Sequence, residues 1–452
     1  MARKMKDSGI EWIGEIPEDW EISKLKYIGS FTASGIDKKI KANEKLIKIV
    51  NYTDVYGNTQ FRLYNKDYMT VSASTDQIKQ HMVKKGDLIF TPSSETIEDI
   101  GVSTVAMEDL KNTAFSYHVL RFRFNNNKDV IFRYRRYLCN NNYSYNYFSF
   151  LAKGTTRKTL KRSDFNEAKV ILPPLSTQEK ISYLLDKELA KIDNINMTIV
   201  NQIQTLEDYK KSVITEAVTK GLDKNVEMKD SGIEWIGEIP KHWEIKRLKQ
   251  ILSNNSLRVG PFGSALKSSD IVDSGKWVYN QRTVLDNNFE TNDTFIDDSK
   301  FNELISFKVN AGDILLTTRG TIGRIAIVPK SFYEGVIHPC IIKFRVKEGI
   351  FKNALIKYIF NSTDIVLKQV EYLSNSTTIG VIYSYNLVNI YFPTPPVNEQ
   401  LEIINYLDQK TATIDEAITA KQKQLEILEE YKKSLIYEYV TGKKEVEDVG
   451  TI

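Results

Sequence analysis

The chain has 452 residues, of which 41% are apolar and 27% charged, with a formal net charge of +4. That is apolar content for real cores and length for about three ordinary domains, and the mild positive balance permits nucleic-acid binding without demanding it. Cys139 and Cys340 form neither a disulfide framework nor metal-ligand spacing, and no apolar run approaches a membrane span, so a reducing, cytoplasmic location is expected.

In chain order the first feature is a repeat. MKDSGIEWIGEIP begins at Met5 and again at Met228, and the correspondence continues through Trp20 and Trp243 to Ile28 and Ile251. A single repeat at so long a period argues for two domain-sized units rather than a solenoid. After each frame come about 140 residues with short β-type runs. In the first unit these are KLIKIVNYTDV at 45–55, DLIFTPSS at 87–94 and YHVLRFRF at 117–124. KWVYNQRTV at 276–284, DILLTTRG at 313–320 and CIIKFRV at 340–346 answer them in the second. Gly and Asn clusters punctuate the runs, which predicts α+β domains.

Pro173-Pro174 and Pro395-Pro396 then open two long helical segments, with Ser176 and Asn398 as expected N-caps. Steps alternately three and four residues apart predict a coiled-coil seam through Leu185, Leu189, Ile192, Ile199, Ile203 and Leu206 in the first helix. In the second the seam runs through Leu407, Ile414, Ile418, Leu425 and Leu428. Asn196 falls in the same seam as a potential register device, and Gly221 and Gly442 are expected stops. An antiparallel pair of such helices would hold the two units at opposite ends of a rod, with pseudo-two-fold symmetry. The expected boundaries are 1–172 for the first head, 173–222 for the first helix, 223–394 for the second head and 395–452 for the second helix and tail.

No phosphate loop, HExxH, GxSxG or CxxC is present, and the four histidines lack ligand spacing. Gly260, Gly263, Gly320 and Gly323 sit in turn contexts with no following helix pattern. LPPL at 172–175 and TPPV at 394–397 lack the polar and aromatic ends of an adenine methyltransferase loop and read as helix starts. Binding chemistry is better supported. Phe132 to Phe165 interleaves Arg133, Arg135, Arg136, Lys153, Arg157, Lys158, Lys161 and Arg162 with aromatics and asparagines, residue types that neutralise phosphates and read base edges. A solvated basic face beside an aromatic core explains the same stretch equally well. Asn280, Gln281, Arg282, Thr318, Arg319, Thr377 and Thr378 are the candidates in the second unit, with turn residues closing strands as the alternative.

The whole pattern resembles the DNA-specificity subunits of type I restriction-modification systems. The resemblance rests on the paired DSGIEWIGEIP openings, GDILLTTRGTIGRIAIV with its GDLIFT counterpart, the PPLSTQEKI and PPVNEQLEI helix starts, and the YKKS-bearing helix bodies. It implies a noncatalytic reader of double-stranded DNA whose two target-recognition domains each bind half of a split sequence, with the paired helices as a ruler. It also implies two modification subunits, with restriction subunits alongside. S-adenosylmethionine, ATP and Mg would be carried by those partners and no cofactor or metal by this chain. The reading residues are then expected at Asn51, Tyr52, Thr53, Ser93, Ser94, Thr155, Thr156, Arg157, Lys158 and Lys161 in the first head, with the seven named candidates in the second. In the first head SSETIED replaces the TRGTIG loop of the second, so the two loops need not act alike. The competing reading is a coiled-coil scaffold with two protein-binding heads; a stand-alone methyltransferase or nuclease lacks its motifs.

Overall fold

The computed structural model describes residues 3–58, 60–97, 100–125, 129–374 and 380–446. It divides into two compact units, one formed by residues 1–199 with 423–452 and the other by residues 200–422. Each unit therefore holds one α+β head and about half of each long helix, whereas the boundaries expected from sequence cut the chain where the helices start.

The duplicated letters fold into the same frame twice. Met5–Asp7 pairs antiparallel with Glu15–Pro17, and Glu21–Lys24 with Lys169–Leu172. Met228–Asp230 pairs with Glu238–Pro240, and Glu244–Arg247 with Tyr391–Thr394. Trp20 and Trp243 are fully buried in these frames, and each receives the end of a long helix. Gly442, at φ +71°, lies so close that a Cβ would stand 2.5 Å from Pro17 and 3.1 Å from Trp20. Gly221, at φ +74°, lies against Trp243 in the same way. Lys443 Nζ donates to the Glu15 carbonyl at 2.8 Å and Tyr437 Oη to that of Trp12 at 3.1 Å. The second helix thus ends on the segment where the chain begins. Gly442→Ala is expected to destabilise the first unit by about 1–3 kcal/mol, from left-handed strain plus the clash with Pro17, read as a lower thermal midpoint.

Each head is built around two main sheets. In the first, Gly29–Ala33, Leu120–Phe124, Leu88–Phe90, Ser103–Ala106 and Arg62–Leu63 form a five-stranded sheet, and Thr113–Phe115, Lys45–Val50 and Met69–Ala73 a three-stranded one. The second has a four-stranded sheet of Arg258–Val259, Ile341–Phe344, Ile314–Thr317 and Ile325–Ile327, with Phe295–Ile296, Lys276–Tyr279 and Gly335–Ile337 beside it. The matched GDLIF and GDILL segments serve the fold. Buried Asp87 accepts from Lys84 N at 2.8 Å and pairs with Arg123 at 2.6 Å. Buried Asp313 accepts from Asn310 N at 2.9 Å and pairs with Arg345 and Lys343. A buried carboxylate needs such partners, and the next strand supplies the cations.

The long helices run from Leu175 to Lys220, 46 residues, and from Val397 to Val440, 44 residues. Ser176 and Asn398 fall inside the first turn and not at the cap, because Gln178 N already bonds to the Pro174 carbonyl and Gln400 N to that of Pro396. The glutamines fasten helix to head. Gln178 donates to the carbonyls of Asp129 and Pro173 and accepts from Ile131 N; Gln400 does the same with Ile350, Pro395 and Lys352.

Leu185, Leu189, Ile192, Ile199, Leu407 and Ile414 are buried, and Ile203, Leu206, Ile418, Leu425 and Leu428 are half-buried. Polar seam positions take partners on the opposite helix. Lys432 meets Asp193 at 3.2 Å in the first unit. In the second, Lys210 meets Asp415 at 2.6 Å and Lys421 meets Gln202 at 2.6 Å. In the second unit numbers rise along one helix as they fall along the other, so the pairing there is antiparallel. Asn196, the expected register device, keeps a buried Oδ1 with no hydrogen-bond partner among the described residues, so that oxygen makes no bond across the seam.

Candidate nucleic-acid interface

In the first head, three segments far apart in sequence meet. Asn51 caps the short helix Tyr52–Val55. Tyr52 Oη donates to Ser94 Oγ at 3.2 Å, and Tyr52 stacks on Tyr56 with ring centroids 5.3 Å apart. Ser93–Ser94 pairs antiparallel with Lys158–Thr159. The Lys158 ammonium turns back to the Gly154 carbonyl at 2.7 Å and closes a tight loop, whose tip exposes Thr155, Thr156 and Arg157. Thr53, next to Tyr52 in sequence, is exposed, and Lys161 is exposed where the next short helix starts.

Sequence reasoning missed two neighbours of this face. Tyr117, about half exposed, lies on the His118 ring with centroids 3.8 Å apart. Burial, and next the positive charges of Lys38 and Arg157, hold the His118 pKa below its ordinary value, with Asp37 opposing them. A neutral imidazole at neutral pH follows, able to donate from one nitrogen and accept at the other.

The second head repeats the convergence with other residues. Asn280 caps the helix Gln281–Leu285, accepting from Arg282 N at 2.9 Å and Thr283 N at 3.3 Å. The Gln281 amide lies over Gly320, where a Cβ would stand 2.9 Å from Nε2. Arg319 is exposed on that turn, bridged through its backbone to Val381. Arg282 is held by Asp286 at 3.5 Å and Asp293 at 3.6 Å, which together line a cavity of about 250 Å³ with Asn280, Asn288 and Thr291. These are exposed ion pairs worth roughly 0–1 kcal/mol each, so Arg282 can leave the carboxylates at little cost.

Some candidates do not face outward. Asn51 is buried, its Oδ1 accepting from Tyr52 N at 3.0 Å and from Ser116 Oγ at 3.1 Å, so it positions Tyr52 and cannot itself touch a base. Thr318 is buried with its hydroxyl donating to the Cys340 carbonyl at 2.9 Å, and it positions Arg319. Thr377 and Thr378 lie outside the described residues. Two cations of the basic stretch belong to the core. Arg135 is buried on the Phe124 ring at 4.1 Å and donates to the Gly86 carbonyl at 3.1 Å, and buried Arg136 pairs with Asp186 at 2.7 Å. Of that stretch, Arg133, Lys153, Arg157, Lys161 and Arg162 are the cations left exposed.

Among the described residues no His, Cys, Asp and Glu grouping could hold a metal ion, and no helix is long and apolar enough to cross a membrane. The interface offers hydrogen-bonding side chains on turns and short helices, flanked by exposed cations, which suits groove and phosphate contacts.

Comparison with known proteins agrees with this arrangement. The type I restriction modification DNA specificity domain matches residues 17–205 and again 240–427, more than half of the chain. Two specificity subunits of Methanocaldococcus jannaschii are similar end to end. The MjaVIII type I restriction enzyme specificity subunit is 25% identical over 96% of this chain and 95% of its own. The MjaIX subunit is 26% identical over 97% and 96%. A solved structure from work on complex assembly and conformational transition of the type I R-M system superposes with a TM-score of 0.65 at 15% identity, covering 95% of this chain and 99% of that one, which shows the fold. The chain belongs to the family of type I restriction-modification DNA specificity proteins and carries its domain twice.

Proposed function

We propose that this chain is the noncatalytic reader of a type I restriction-modification assembly in the cytoplasm. Each head reads one half of a split double-stranded target, and the antiparallel helices set the gap between halves. The observation that carries the reading is the twofold convergence of one cap, one turn and one returning strand around half-buried Tyr52 and Ser93 and exposed Arg157 in one head, and half-buried Gln281 and exposed Arg319 in the other. Because the two faces carry different side chains on the same scaffold, they suit different half-site words. Two modification subunits docked on this chain would supply S-adenosylmethionine and the extruded-adenine chemistry, and restriction subunits would supply ATP- and Mg-dependent cleavage.

The test is duplex binding and methyl transfer by the chain assembled with its modification subunits, across a salt series, on a target found by mapping methylated adenines in the host genome. Specific binding should weaken steeply with salt. Arg319→Ala should lower affinity for the cognate target by about 10- to 100-fold and relax one position in one half-site, as loss of an arginine base contact does. Binding that ignores sequence, or that goes to a protein partner alone, would favour a scaffold.

A further inference from the structure

In the second head, Phe262 is 84% exposed, the most exposed large apolar side chain among the described residues, and its ring meets no other ring there. Its turn is nevertheless tightly held at both ends. On one side Arg258–Val259 pairs with Ile342–Lys343, and Gly260 N bonds to the Ile341 carbonyl at 2.9 Å. A Cβ on Gly260 would stand 2.2 Å from the His338 carbonyl oxygen, so the approach needs glycine. On the other side Leu266 is buried in a cluster with Val278 and Ile296, and Ala265 N closes the turn on the Phe262 carbonyl at 2.8 Å.

This turn abuts the face described above. The 338–341 segment that carries Gly260 also carries the Cys340 carbonyl that accepts from Thr318 N at 3.0 Å, and His338 N bonds to the Tyr279 carbonyl at 2.9 Å. Phe262 is therefore two residues from a backbone junction shared by the Arg319 turn and the Asn280–Gln281 cap. Exposed Arg258 and Lys267 flank it. An exposed aromatic on a tightly held turn, flanked in sequence by exposed cations and set beside the candidate base-reading side chains, has the make-up of the wedges that DNA-bending proteins drive between base steps.

We propose that Phe262 enters the base stack of the half-site read by the second head and unstacks it, easing extrusion of the adenine. The proposal rests on the recognition reading above. Unstacking lowers the work of flipping at that step, and a phenyl ring can occupy the space that opens.

The experiment uses the complete assembly with its modification subunits, on target duplexes carrying 2-aminopurine at successive positions of each half. Wild type should raise 2-aminopurine fluorescence at one step of the second head's half-site. Phe262→Ala should abolish that rise and weaken binding about tenfold or more, leaving the other half-site unchanged, while Phe262→Trp restores the signal. Specific binding with the same fluorescence in Phe262→Ala overturns the wedge and leaves the recognition reading standing. Failure of the alanine variant to assemble with its partners, with fluorescence unchanged in whatever complex forms, also overturns it and makes Phe262 a protein contact. Absence of sequence-specific binding by the wild-type assembly removes the recognition reading and the wedge with it.

Discussion

Replacing Asp186 with alanine is expected to lower the stability of the first unit by about 3–5 kcal/mol, the usual cost of stripping a buried cation of its partner. Asp186 projects from the first long helix and takes three donors from the head: Arg136 Nη1 at 2.7 Å, Tyr137 Oη at 2.6 Å and Arg62 Nη2 at 3.0 Å. The Arg136 side chain is only 5% exposed, and burial pulls its pKa down. Even so, a guanidinium stays charged at neutral pH, so without Asp186 a positive charge is left in the core beside a second one. Replacing Arg136 with methionine and Asp186 with leucine together should cost less than Asp186→Ala alone, because no uncompensated charge remains. Urea unfolding of the three proteins gives the comparison. A loss below about 1 kcal/mol for Asp186→Ala would mean that water reaches the cluster and solvates the arginine.

That cluster shows where sequence reading stops. Arg135 and Arg136 stand in a basic, aromatic-rich run with Arg157 and Lys161, and nothing in the run separates them. Their fates differ because Phe124, Gly86 and Asp186 arrive from elsewhere in the chain to receive the first two. Asn51 and Thr318 fail as direct readers for the same reason, since the carbonyl of Cys340 and the helix starting at Tyr52 consume their polar groups. The frame and the long helices were legible because their signals are local or repeated. A heptad seam needs only spacing, and Trp20 and Trp243 sit in nearly identical letters. The proposed reading face is assembled from turns, whose outward side chains leave no periodic trace. Tyr117 and Phe262 became visible only once the strands behind them were paired. Gly260 did carry a signal, a glycine followed by proline and an aromatic, but only the His338 carbonyl explains why it must be glycine.

Exchange of residues 29–168 for the matching part of another family member should change one half of the methylated sequence and leave the other half and the gap intact. The cut points fall between the frame strands Glu21–Lys24 and Lys169–Leu172, which remain paired with each other. The tie between head and helix tolerates the exchange at Gln178, because all of its partners, Asp129 O, Ile131 N and Pro173 O, are backbone atoms that any donor head presents. Arg136 and Tyr137 are different, since they reach Asp186 with side chains. A donor lacking that pair should therefore fold poorly until Asp186 is replaced by an apolar residue, which separates a folding failure from a recognition failure. Each mismatched base pair costs about 1–3 kcal/mol, so a head reading a different word of three or four pairs should switch methylation from the old half-site to the new one by several orders of magnitude. Methylome sequencing of cells carrying the hybrid decides the matter. A stable hybrid that altered both half-sites would mean that the two reading faces do not act independently, and a hybrid that altered neither would place recognition outside residues 29–168.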